Sequence, residues 1–304
     1  MKQWNNNRNQ TIIKLFFGLF ILYIVVKLIL ALNSSYFINP PQRINILFYG
    51  PQSQIISFGV KDGINYIVNF NNDIYLNVPG GYGLNKIGAL GRLSNIEKKP
   101  ELIAKTFMVA IGANIDSYLI PKKNQIYDND SNNRKTIAKL SNINRLILPI
   151  NYLSDSAWFD RIYLSVLLLR LNQTQLISLN TSVTYDVSKR KIFNDNGFSR
   201  RYTGFFFQPK FRDEAANLRI YYQTYKIAKN ISRILEGEGI RVVDLELIDK
   251  KQKQCRLLTG QQSISKFPKT IDFIVNKFGC RIKIEEVGGV DIGIILGSRV
   301  EKEW

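Results

Sequence analysis

Along this chain the spacing of apolar positions changes from continuous, to alternate, to helical, and back. Ile12 to Leu32 is almost unbroken apolar sequence, interrupted by Lys14 near its start and Lys27 near its end. A hydrocarbon core of about 30 Å is crossed by about 20 helical residues, and backbone polar groups in lipid are satisfied inside a helix. The pattern therefore predicts one spanning helix over residues 12–32. Basic residues Lys2, Arg8 and Lys14, with no acid among them, keep residues 1–11 as a cytoplasmic tail under the positive-inside bias and send the rest outward. A cleaved signal peptide would have a shorter apolar run and an A-x-A-like site. Here the run ends in Leu30-Ala31-Leu32-Asn33, which fits an uncleaved anchor.

Residues 33–42, with Asn33-Ser34-Ser35 and Pro40-Pro41, read as a linker. Alternation then predicts strands at Ile44–Tyr49, Gln54–Val60, Gly63–Phe70 and Ile74–Val78, with Asn71-Asn72-Asp73 as turn chemistry. From Lys98 the period becomes helical: Pro100 suits a first helical position, Leu102, Ile103, Phe107, Ala110 and Ile111 share a face, and Gly112 ends the run. A polar loop is expected over 122–142 and a second helix from Ser154, as N-cap, through Leu169. Alternation returns at Gln175–Val187.

The last ninety or so residues repeat a strand–helix–strand cycle. Strands are predicted at Leu218–Tyr222, Ile240–Leu247, Cys255–Thr259, Cys280–Glu285 and Asp291–Leu296. Helices are predicted at Thr224–Glu236, ended by Gly237, and at Ser265–Phe278, ended by Gly279. The fold class is α/β (α+β), with a mixed-sheet domain over 43–210 and a small βαβ-repeat sandwich over 211–304.

Composition narrows the chemistry. The 304 residues contain no histidine and carry a formal net charge of +18, more than half of it in residues 41–210. Lacking histidine, the chain has neither the commonest general base nor the commonest metal ligand, and two cysteines alone do not make a zinc site. No metal or cofactor is assigned. The positive excess favours anionic neighbours such as lipid headgroups or phosphate-rich polymers, although a bias towards Asn, Ile and Lys gives the same balance. A nucleic-acid reading is disfavoured, since no helix-turn-helix, zinc or RNP-like pattern is present. Cys255 and Cys280 both open strands that flank one helical region. A right-handed crossover brings such strands parallel with their starts at one edge, where a disulfide is feasible outside the cytoplasm. Two small buried thiols are the alternative.

Several segments in order resemble the LytR-CpsA-Psr family of single-pass envelope proteins. These are Asn45-Ile46-Leu47-Phe48-Tyr49-Gly50, the stretch around Asp62, Val78-Pro79-Gly80-Gly81-Tyr82-Gly83 with Lys86, Ile111 to Tyr118, and Phe159-Asp160-Arg161-Ile162. Residues 211–304 resemble the family's LytR-type C-terminal domain. The resemblance implies an extracytoplasmic domain, membrane partners, and handling of polyprenyl-phosphate-linked or anionic wall polymer. It also implies a pyrophosphate site of arginines and acids, with Mg2+ in active transferases. That set is degenerate here. Asp62 remains, but Val60 and Lys61 stand for arginine and serine; Gly80 and Gly81 replace an arginine and an aspartate; Arg161 is kept, while Leu164 and Ser165 replace a second arginine and a glutamine. Because removing one preorganised donor costs about 10²- to 10³-fold in rate, the resemblance implies a binding or scaffolding protein, with a rewired phosphotransferase as the alternative. Asp62 and Arg161 are the remnant catalytic candidates, expected as an ion pair. Lys86, Arg92, Gly80 and Gly81 are the anion-binding candidates, although a glycine run without P-loop or Rossmann spacing is also ordinary turn chemistry.

Overall fold

The computed structural model describes residues 2–122, 152–171, 175–249 and 252–304. From residue 123 on, the loop expected at 122–142 lies outside them. Helix α1 (Lys2–Asn33) contains an apolar stretch, Ile13–Asn33, with a mean hydropathy of 2.7 and no part of it buried against the rest of the chain. It is long and apolar enough to cross a membrane. The expected linker is not free. Tyr36 N–H donates to Asp160 Oδ1 (2.8 Å), and the Tyr36 and Phe37 rings pack edge-on against Tyr163.

A six-stranded mixed sheet follows, in the order β7-β6-β1-β2-β3-β8. Its members are β1 (Arg43–Phe48), β2 (Ser53–Gly59), β3 (Asn65–Phe70), β6 (Ser117–Pro121), β7 (Tyr152–Ser154) and β8 (Leu176–Leu179). Strand β1 is buried along its whole length, and its alternate residues serve two cores. Ile44, Ile46 and Phe48 meet Leu164 and Leu168 of helix α4 (Trp158–Arg170). Leu47 and Tyr49 join the larger cluster on the opposite face. Helix α3 (Glu101–Ile111) supplies that cluster and ends at Gly112 (φ 66°) as expected, but Pro100 is its N-cap rather than its first turn. Helix α4 starts after Ala157, so Ser154 is not its cap; it ends the short edge strand β7, which pairs with β6.

A second sheet, β5-β4-β10-β9, is built from β4 (Tyr75–Val78), β5 (Gly83–Lys86), β9 (Val183–Tyr185) and β10 (Lys191–Phe193). The helices α2 (Leu90–Ile96), α5 (Asp195–Tyr202) and α6 (Pro209–Glu214) complete this part.

The C-terminal sheet has the order β12-β11-β15-β13-β14, from β11 (Asn217–Tyr222), β12 (Arg241–Leu247), β13 (Arg256–Thr259), β14 (Arg281–Ile284) and β15 (Ile292–Ile295). The β11/β12 and β13/β14 pairs are parallel across helical crossovers, as the repeat pattern requires. The first crossover is α7 (Tyr225–Glu238), whose terminator is Gly239 (φ 100°), two residues later than expected. The second is split by Pro268 into α8 (Gln261–Lys266) and α9 (Pro268–Phe278). A short helix α10 (Ser298–Glu303) follows β15. Cys255 and Cys280 are bonded, with Cα atoms 4.4 Å apart. One apolar cluster runs from Leu47 through Phe107, Ile231 and Ile274 to Trp304 and thus joins both halves of the chain.

Candidate functional site

The two remnant candidates do not meet as a pair. Asp62 lies in the turn after β2, where its Oδ2 accepts from Arg43 Nη2 (2.7 Å) and its Oδ1 accepts from Ile64 N–H (3.0 Å). Gly59 makes this turn tight, since a Cβ there would lie 1.8 Å from Asp62 Oδ1. Arg43 is almost wholly buried and also donates to Ser57 Oγ and the Ile64 carbonyl, with its guanidinium 5.1 Å from the centre of the Tyr66 ring. Arg161 is on α4, where its Nε donates to the Ser156 carbonyl (2.9 Å). The expected Asp62–Arg161 ion pair is therefore replaced by two separate contacts, one holding a turn and one a helix start.

The glycines form the loop of the β4/β5 hairpin, where Gly80, Gly81 and Gly83 all have positive φ. Turn chemistry alone accounts for them. Gly80 also lets the hairpin approach α10, because a Cβ would lie 3.2 Å from the Lys302 carbonyl. Lys86, at the end of β5, sits over the Tyr75 ring at 5.9 Å, and Arg92 is an exposed side chain of α2.

A constellation that sequence reasoning missed lies where the first sheet meets the C-terminal unit. A cleft of about 440 Å³ is bounded by the start of β6, the turn before α4, and helices α6 and α9. Asp116, Asp155 and Asp272 line it together with Lys210, Lys269 and Lys277. Asp116 is clamped: Asn45 N–H donates to its Oδ2 (2.8 Å) and Asn114 Nδ2 to its Oδ1 (2.9 Å). Behind it Glu238, 1 % exposed, accepts from Asn114 N–H (2.9 Å). Burial raises both acids, Asp116 to about 6 and Glu238 to about 8, and the charge of Asp116 raises Glu238 further. Burial pulls Lys277 below the usual lysine value, and Asp116, Glu238 and Asp155 oppose that shift.

Lys269, Asp272 and Lys277 share one helix, but Asp116, Asp155, Lys210 and Glu238 come from four other parts of the chain, so no single spacing rule brings the set together. Two local signals were nevertheless present. Asn114-Ile115-Asp116 follows a glycine-terminated helix directly, which places short polar groups at a strand start. Glu238 was hidden because Gly237 reads as the end of α7, which leaves the acid in a loop rather than on the helix.

No protein-family model matches the sequence, and no curated protein matches it. Solved structures do. Bacillus subtilis TagT is 11 % identical, with 53 % of this chain and 88 % of that chain aligned at a TM-score of 0.34. The transcriptional regulator yvhJ from Bacillus subtilis is 10 % identical, with 54 % and 96 % aligned at 0.35. The LytR-CPS2A-psr family protein YwtF (TagT), with bound octaprenyl pyrophosphate lipid, is 9 % identical, with 52 % and 87 % aligned at 0.27. The structural neighbours thus include a protein of the family that the sequence resembles. The likeness extends over about half of this chain and concerns its fold, so the functional reading rests on the chain's own groups.

Proposed function

We propose that this protein is a single-pass cell-membrane protein with a cytoplasmic N-terminus, whose extracytoplasmic bulk binds or scaffolds anionic wall polymer or a lipid-linked precursor without transferring it. Residues 43–210 form its LytR-CpsA-Psr-like domain and residues 211–304 its LytR-type C-terminal domain. The observation that carries the non-catalytic reading is the separation of Asp62 from Arg161. The one acid and one arginine left of the family's pyrophosphate set are each committed to local structure, and glycines occupy the hairpin where further charged groups are expected. An apolar helix with nothing packed against its spanning stretch supports the anchor. A formal charge of +18 supports an anionic partner.

The test is binding and turnover of a polyprenyl-pyrophosphate-linked glycan by the full chain in lipid nanodiscs, with and without Mg2+. Saturable, salt-sensitive binding without release of polyprenyl phosphate is the expected result. Release that depends on Mg2+ and is abolished by Asp62→Ala or Arg161→Ala would overturn it and make the protein a transferase. No binding at all would overturn the carrier reading.

A further inference from the structure

The cleft at the junction of the two halves has the composition of a ligand site rather than of a salt-bridged seam. Among the described residues the cleft lysines Lys210 and Lys277 have no carboxylate at ion-pair distance, although Lys105 and Lys191 elsewhere do. On the facing wall Asp116 is already oriented by two donors, and Tyr118 N–H donates to Asp155 Oδ1 (3.1 Å). Each of these carboxylates keeps lone pairs to spare. Asn114 lines the same cleft, is 6 % exposed, and has a buried Oδ1 with no donor. A buried oxygen of this kind destabilises the fold unless something satisfies it.

We propose that this cleft binds a small zwitterion of the amino-acid or short-peptide class, its ammonium group held by Asp116, Asp155 and Asn114 Oδ1, and its carboxylate by Lys210 and Lys277. Charge balance selects this class. A purely anionic ligand would meet three aspartates and a purely cationic one three lysines, whereas a ligand bearing both charges on a short chain finds a partner for each. The raised Glu238 carries its proton at neutral pH and so adds no fourth negative charge behind Asp116. Phe211 and Phe273, with ring centres 5.1 Å apart, offer an apolar wall to the intervening chain. A volume of about 440 Å³ falls within the ordinary range for small-molecule sites. Nothing in this inference depends on the anchor or on wall-polymer binding.

The probes are glycine and its oligomers up to tetraglycine, titrated calorimetrically into the full chain in nanodiscs. At least one member should saturate with a Kd at or below about 1 mM. N-acetylation or C-amidation of that member should each weaken binding at least tenfold. Asp155→Asn, an exposed position, should weaken the free peptide and leave the N-acetylated one unchanged, while Lys277→Met should do the same for the free and C-amidated forms. No saturation by any oligomer at about 10 mM would overturn the proposal. So would equal affinity for capped and free peptides, or wild-type affinity in a folded Asp155→Asn protein.

Discussion

Gly237 illustrates how a single position can oppose its own local preference. It lies inside the last turn of α7, where replacing glycine by alanine ordinarily gains up to about 1 kcal/mol. A Cβ there would stand 1.9 Å from the Gly112 carbonyl oxygen. That clash is with backbone and has no side-chain escape, so the overpacking cost of about 1–3 kcal/mol or more outweighs the propensity gain. Gly237→Ala should therefore lower the denaturation midpoint, whereas propensity alone would raise it; chemical denaturation of the two proteins decides. Its neighbour Glu238 sets a pH dependence. Around it stand Asp116, just before β6, whose charge raises it, and Lys210 and Lys277 from α6 and α9, whose charges lower it. Burial prevails, and the folded value is pushed up to about 8 from an ordinary 4.5. The folded state then holds a proton that the unfolded chain has released. This contribution is complete below the ordinary value and is lost as pH rises through the folded one. Stability should fall from pH 4.5 towards pH 8, most steeply below about 6, where Asp116 too keeps in the folded state a proton that the unfolded chain has released. In Glu238→Gln, which keeps an acceptor for Asn114 N–H, that slope should flatten; thermal midpoints measured across this range would show it.

At the scale of elements the C-terminal unit was the most legible part of the chain. Each of its five strands is a short apolar run bounded by glycine or polar residues, and the crossover rule then fixes which strands run parallel. That logic brings Cys255 and Cys280 to one edge of the sheet, where the bond is present. With a sequence separation of 25, the chain-entropy model gives it about 3 kcal/mol. Reduction, or a Cys255→Ser/Cys280→Ser double variant, should cost roughly that amount and lower the thermal midpoint without preventing membrane association. Boundaries set by tertiary contact were less legible. Helix α7 runs two residues beyond the expected Glu236, through a Gly237 packed against the Gly112 backbone, and α4 begins at Trp158 because β7 takes Ser154 into an edge pairing. The expected Asp62–Arg161 ion pair was illegible for a similar reason. The partners of Asp62 and Arg161, Arg43 and the Ser156 carbonyl, are chosen by packing. The cleft residues of α9 recur at helical spacing, but Asp116, Asp155 and Lys210 come from separate segments that no period links to them.

For the whole molecule, the end of α1 and the body of the protein are joined at one corner, and this makes the anchor reading testable from the body's side. Residues 34–41 fold back on α4 instead of tethering it loosely, through the Tyr36–Asp160 hydrogen bond and the ring contacts to Tyr163. The same corner exposes Phe37 (44 %), Ile38 (54 %) and Trp158 (59 %). A span ending at Asn33 puts these side chains at the headgroup layer, the depth that aromatic residues favour. They are wasted on a body held away from the bilayer. The three tryptophans allow a direct reading, since Trp304 is buried and Trp4 precedes the span. In a Trp4→Phe protein reconstituted with lipids brominated near the headgroup, Trp158 emission should be quenched and that of Trp304 spared. A second protein carrying Trp158→Phe as well should lose the quenched component. Equal quenching with and without brominated lipid would mean that the body stands off the membrane, and the contacts of residues 36–38 with α4 would then serve packing alone.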